Sequence, residues 1–374
     1  MRLRSLVVST FAFATFPFPS LSSAMSHALF IGTYTNSGSK GIYAVSFDPA
    51  TGRFDAPQVA AETTSPTYLA FSPDQRHLYA VSESAGMAVG FAVSADRTQL
   101  TPLDDRQPAA GKAPCHLMTD RTGRVLFVSN YHTGTVGSIP IAPDGRLRAP
   151  ATLIQHTGSS VDPDRQTSPH AHSVTVSPDN RFVFACDLGT DKIYIYKIDL
   201  ATATLQPHDP AFVSTPAGVG PRHFAFSPDG AHAFMISEMG GTLTSYRYDA
   251  ERGTLHPLDT QSTLSAEFPG KNKSAAVRVH PNGRFVYGSN RGPDTIAVFR
   301  FEEGTGRLSL VEIVPCGGPN PRDFALSPDG RWLVVAHQDT GTLKAFRVDS
   351  ETGRLTATDA VAQVPAPVCV LFAD

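Results

Sequence analysis

Five side chains of this 374-residue sequence have types and spacing suited to acyl chemistry on an anionic ligand: His172, Arg222, Glu238, Arg291 and Arg322. Arginine forks grip carboxylate or phosphate bidentately and stabilise an oxyanion as its charge develops. A glutamate or histidine among them can take a proton from water or from carbon. The set fits hydrolysis of an anionic lactone, or the cyclisation that forms one. Which of Glu238 and His172 acts as base stays open. No serine or cysteine stands with an obvious base, so a covalent acyl-enzyme is less attractive.

These residues are related by an internal repeat. A strand, a Ser-Pro-Asp-Gly-type turn and a second strand recur six times, as in Ser65-Pro-Thr-Tyr-Leu-Ala-Phe-Ser-Pro-Asp before His77-Leu-Tyr-Ala-Val-Ser-Glu. The spacing of about 45 to 60 residues is that of propeller blades. The two ends supply a seventh copy: Ala28-Leu-Phe-Ile-Gly-Thr-Tyr matches a second strand and Pro367-Val-Cys-Val-Leu-Phe an isolated first strand. An all-β, seven-bladed β-propeller is therefore expected, closed by the C-terminal strand pairing with the N-terminal blade and leaving no open edge.

In each hairpin the start of the first strand and the end of the second lie at one mouth of the central channel. Six positions before the turn proline, or its equivalent, stand Thr67, Cys115, His172, Arg222, Ala275 and Arg322. Ten positions after it stand Glu83, Tyr131, Leu188, Glu238, Arg291 and Gln338, with Tyr34 from the N-terminal blade. One position earlier come Asn130, Asp187, Asn290 and His337. His172, Arg222, Glu238 and Arg291 are the candidate catalytic residues. His116, Asn130, His170, Asn290, Arg322 and Tyr34 are the candidate substrate-binding residues. Structural roles compete with these. Arg222 and Glu238 could be a simple ion pair across one hairpin, Asp323 is a local partner for Arg322, and Glu83 reads as a rim residue. Several buried charges are costly without a use, which favours function for Arg222, Glu238 and Arg291.

Composition narrows the classes. The net charge is −3 with no basic block, which argues against nucleic acid and anionic membranes as partners. Met1-Arg-Leu-Arg, the apolar stretch Leu6 to Phe18 and Ser22-Ser23-Ala24 read as a cleaved signal peptide over residues 1–24. That leaves one propeller domain over 25–374, exported to the periplasm or beyond; a start at Met25 would make it cytoplasmic. The four cysteines are too sparse for a disulfide scaffold and read as core packing. A calcium or magnesium site from Glu83, Asn130, Asp187, Asn290 and Glu238 is disfavoured by the neighbouring arginines. No metal or other cofactor is expected, and a monomer is. A non-catalytic interaction platform, the reading from another class, predicts a featureless channel mouth.

Several phrases are more specific than a blade repeat: Gly32-Thr-Tyr-Thr with Ser39-Lys-Gly-Ile-Tyr, Pro114-Cys-His, Ser129-Asn-Tyr and Pro169-His-Ala-His-Ser. To these add Asp187-Leu-Gly-Thr-Asp-Lys, Gly220-Pro-Arg-His, Ser289-Asn-Arg-Gly and Pro319-Asn-Pro-Arg-Asp-Phe. With them the chain resembles, from about residue 28 to its end, the propeller-type 6-phosphogluconolactonase group of lactonases and the related fungal-type carboxymuconate-cyclising enzymes. The resemblance implies a lactonase working without cofactor on a small anionic or polar lactone. It also places His172, Arg222, Glu238 and Arg291 on positions that the cyclising relatives use for catalysis. Arg278, in Ala276-Val-Arg278, departs from the usual acidic or aliphatic pattern. Export would also separate the protein from a cytosolic sugar phosphate, which makes a non-phosphorylated sugar lactone the more sensible substrate.

Overall fold

Alternation of side chains along each strand sends neighbours to opposite faces of a sheet, so a strand apolar throughout must be covered on both sides. The computed structural model, which describes residues 26–103 and 106–373, meets that demand with seven antiparallel sheets among the described residues. In the strand His27–Thr33, Leu29 and Ile31 face one neighbouring blade and Phe30 faces the other. Seven apolar clusters result, each straddling two adjacent sheets.

Ring closure is as the two ends of the sequence predict. Pro367–Ala373 is the innermost strand of the first blade and pairs antiparallel with His27–Thr33, from Ala28 opposite Ala373 to Thr33 opposite Pro367. Trp332, from the last blade, spans the seam. Its Nε1–H donates to Pro49 O at 2.9 Å, and its ring lies against Gly52. Gly52 has φ +77°, and a Cβ there would collide with the indole, so only glycine fits.

The turns at the far face share one circuit. Ser72 Oγ donates to Asp74 Oδ1 at 2.7 Å and accepts from the His77 N–H, and Ser177, Ser227 and Ser327 repeat the bond to the aspartate two residues on. All four cysteines are buried and free, as packing residues would be. The proposed signal peptide lies outside the described residues. Among the described residues no helix is long and apolar enough to cross a membrane.

Candidate functional site

A local irregularity repeated from blade to blade delivers the inner-ring side chains to the mouth. In the inner strand Ala171–Val176, Ala171 opposes Asp187 and Ser173 opposes Cys186, leaving His172 as an extra residue. Arg222 is the extra residue in Pro221–Phe226, Arg322 in Pro321–Leu326, Cys115 in Pro114–Thr119 and Val368 in the closing strand. Such bulges bend a strand and re-aim one side chain, commonly at a rim beside an active site.

The second ring meets these residues there. Arg222 Nε donates to Glu238 Oε2 at 3.0 Å across their own hairpin. The neighbouring blade adds Arg291, whose Nη2 reaches the same oxygen at 2.8 Å. Glu238 is therefore more than half of a local ion pair. His172 Nε2 lies 3.9 Å from Glu238 Oε2, and its buried Nδ1 has no hydrogen-bond partner among the described residues. The other three candidate catalytic residues thus converge on the Glu238 carboxylate.

Sequence reasoning missed a third guanidinium. Arg165 Nη2 donates to Glu238 Oε1 at 2.7 Å and to the Tyr131 hydroxyl at 3.0 Å. It lies on the connection between Thr152–Gln155 and Ala171–Val176, outside the repeat, so no blade-to-blade comparison could have found it. The unusual length of that connection was the available signal.

The site's charges have physical causes. Burial by itself would raise the Glu238 carboxyl, but Arg291 and Arg222, and then the hydrogen bond from Arg165, hold it well below the usual carboxylate range. It is a fixed anion and a weak base. Burial, and then the charge of Arg222, pushes His172 well below an ordinary imidazole, so it is neutral at pH 7. Cys115 donates its thiol to His172 O at 3.3 Å, and burial first and Glu83 second push that thiol up to about 12. A thiol so held is no nucleophile at neutral pH.

The candidate binding residues divide. Arg322 stands over the Tyr34 ring, 5.7 Å from its centre, and forms no ion pair among the described residues. Its adjacent Asp323 is not its partner: Asp323 Oδ1 accepts from Arg278 Nη2 at 2.7 Å and Oδ2 from Val370 N–H at 3.0 Å. This corrects the expectation of a local pair and accounts for Arg278. Tyr34 donates its hydroxyl to both oxygens of Glu83, at 3.2 and 3.1 Å. His170 stacks on Tyr131 with ring centres 4.5 Å apart, and its Nδ1 bonds Tyr131 O at 2.9 Å. These three belong to the mouth.

Asn130, Asn290 and His116 do not. Asn130 Nδ2 donates to Ala109 O at 2.8 Å and Asn290 Nδ2 to Thr263 O at 2.8 Å. His337 Nε2 bonds Cys316 O in the same way at 3.0 Å. Asn130, Asn290 and His337 are thus latches tying their second strands to the chain entering their blades. The alternation that brings Glu238 and Arg291 to the mouth turns their predecessors away from it. His116 lies one residue deeper than the bulge, stacked on Tyr68 at 3.9 Å and edge-on to His223 at 5.3 Å. Among the described residues no group of three or more His, Cys, Asp or Glu stands together as metal ligands would.

Comparison with known proteins identifies the family of the fold. The family model described as Lactonase, 7-bladed beta-propeller, matches residues 28–372. A 6-phosphogluconolactonase of Bacillus subtilis is 35% identical over 345 residues, covering 92% of this chain and 97% of the relative. Among solved structures, the periplasmic gluconolactonase PpgL of Pseudomonas aeruginosa is 35% identical with a TM-score of 0.89, covering 94% of this chain and 99% of that one. A Lactobacillus plantarum protein is 32% identical with a TM-score of 0.86, covering 94% and 100%.

Proposed function

This chain belongs to the seven-bladed β-propeller lactonase family, and from that premise we propose that it hydrolyses a sugar-type lactone at the channel mouth. The observation that carries the reading is a neutral imidazole, His172, set 3.9 Å from a carboxylate that three guanidiniums keep ionised. A weak-base carboxylate beside an imidazole stabilises the imidazolium without taking its proton, the division of labour found in hydrolytic triads.

In the reaction, water adds to the lactone carbonyl while His172 takes its proton. The carbonyl oxygen becomes an oxyanion facing Arg322 and Arg291, whose charge is already in place and needs no reorganisation. The ring C–O bond then breaks, His172 returns the proton to the departing oxygen, and a hydroxy acid leaves. Arg222 and Arg165 fix Glu238. Four guanidiniums against the two carboxylates Glu238 and Glu83 leave the mouth net positive, which favours a polar or anionic substrate. The signal-like residues 1–24 and the periplasmic setting named for the Pseudomonas relative support export, and with it a non-phosphorylated aldonolactone.

The test is hydrolysis by the purified mature protein of gluconolactone, its 6-phosphate and carboxymuconate, with and without chelator. Gluconolactone turns over fastest, chelator has no effect, and Arg222→Ala lowers kcat/KM by orders of magnitude. Full activity in that variant removes the clamp from the mechanism, and turnover of carboxymuconate alone replaces hydrolysis by cyclisation.

A further inference from the structure

Across the mouth from the Glu238 clamp lies a second carboxylate with a different environment. Glu83 closes the second strand of its hairpin and is half-buried. Among the described residues it has no cationic partner within ion-pair reach. Its partners are neutral hydroxyls: Thr67 Oγ1 donates to Oε2 at 2.6 Å, and Tyr34 donates to both oxygens. An ionised carboxylate offers about four acceptor positions, so two donors leave it unfilled. It fronts a cleft of about 820 Å³ also lined by Tyr34, Ser65, Lys112 and His132.

From this geometry we infer that Glu83, oriented by Thr67 and Tyr34, is a subsite for the hydroxyl groups of a polyhydroxylated ligand. An alcohol donates to an unfilled acceptor position of Glu83 without bringing charge to it, so a ligand rich in hydroxyls suits the cleft. A second carboxylate brought to Glu83 would be repelled, which selects against polycarboxylate ligands by charge as well as for polyols by hydrogen bonding. The inference rests on the hydrolytic reading above for the identity of the ester, but on the geometry of Glu83 for the hydroxyls.

The experiment compares δ-gluconolactone with δ-valerolactone, the same ring ester without hydroxyls, in the wild-type protein, Glu83→Ala and the isosteric Glu83→Gln. Expected is a fall of roughly 10- to 100-fold in the ratio of kcat/KM for the two lactones, the size of a hydrogen bond to a charged group, expressed mainly in KM. A purely structural role lowers both substrates alike and leaves the ratio unchanged, and that result overturns the proposal, as does an unaltered ratio at full activity. If the wild-type protein hydrolyses neither lactone, the hydrolytic reading fails alone. Calorimetric titration with gluconate then decides: binding to the wild-type protein that Glu83→Gln weakens supports the subsite, while equal binding or none overturns it.

Discussion

At the scale of single residues, the identity of the base is the question the sequence leaves open, and the environment of each group answers it. Glu238 is surrounded by Arg165, Arg222 and Arg291, which stabilise its anion and remove its basicity. His172 shares only Arg222 with it, with the opposite consequence, since burial first and then Arg222 and Arg322 keep the imidazole unprotonated and ready to accept. His172→Gln is therefore expected to lower kcat by about 10²- to 10⁴-fold, the usual range for a positioned general base. Because His172 titrates well below 6.5, kcat/KM should be flat from pH 8 down through pH 6 and decline only in more acid solution. A decline centred near the ordinary imidazole value, in steady-state assays across that range, would show that the site does not hold His172 neutral.

At the scale of elements, the long connection that carries Arg165 is held at both ends by one buried carboxylate. His156, at its start, donates Nδ1–H to Asp187 Oδ2 at 2.6 Å and accepts from the Tyr196 hydroxyl at 2.8 Å. His170, at its end, donates its backbone N–H to Asp187 Oδ1 at 2.9 Å, and Gly189 and Thr190 add two more. Within the connection, Gln166 Nε2 reaches Leu188 O at 2.8 Å. Asp187→Ala strips several buried donors of their acceptor, at a cost of about 1–3 kcal/mol for each donor left unpaired. It should raise hydrogen exchange over residues 157–169 selectively and raise KM through misplacement of Arg165. Mass spectrometry of exchange, set beside the kinetics, checks both. Uniform exchange behaviour would mean that Asp187 does not anchor this segment.

At the scale of the whole molecule, the ring forces seven inner strands toward one axis, and their polar residues are buried together below the mouth. His116, His172 and His223 are all pushed well below their ordinary value, with burial as the largest cause, followed by neighbouring arginines. Each stays neutral when folded and takes up a proton when unfolded. The unfolded chain therefore binds more protons below about pH 6.5, and stability must fall as the pH drops through that value. The linkage slope approaches about 1.4 kcal/mol per pH unit for each histidine, or roughly 4 for the three together. Lowering of the Glu238 carboxyl adds a loss in more acid solution, below its unfolded value. Urea unfolding at pH 7.5 and 5.5 should show the fall, and an unchanged midpoint would contradict the burial of neutral imidazoles.

The sequence by itself determined the blade repeat, its count and its closure, because strand periodicity and turn chemistry are local and recur with the register of the hairpin. It determined the convergence of His172, Arg222, Glu238 and Arg291 for the same reason: equivalent positions in equivalent hairpins share one mouth. Only the tertiary structure decided which alternating positions face the channel. That choice turned Asn130 and Asn290 into latches and set His116 below the reactive ring. Only the tertiary structure could pair Arg278 with Asp323, leaving Arg322 free of any ion pair among the described residues, and bring Arg165 to Glu238 from outside the repeat. These pairs join positions that are not equivalent in the repeat, so their distances are set by ring geometry and loop path, and no local pattern encodes them.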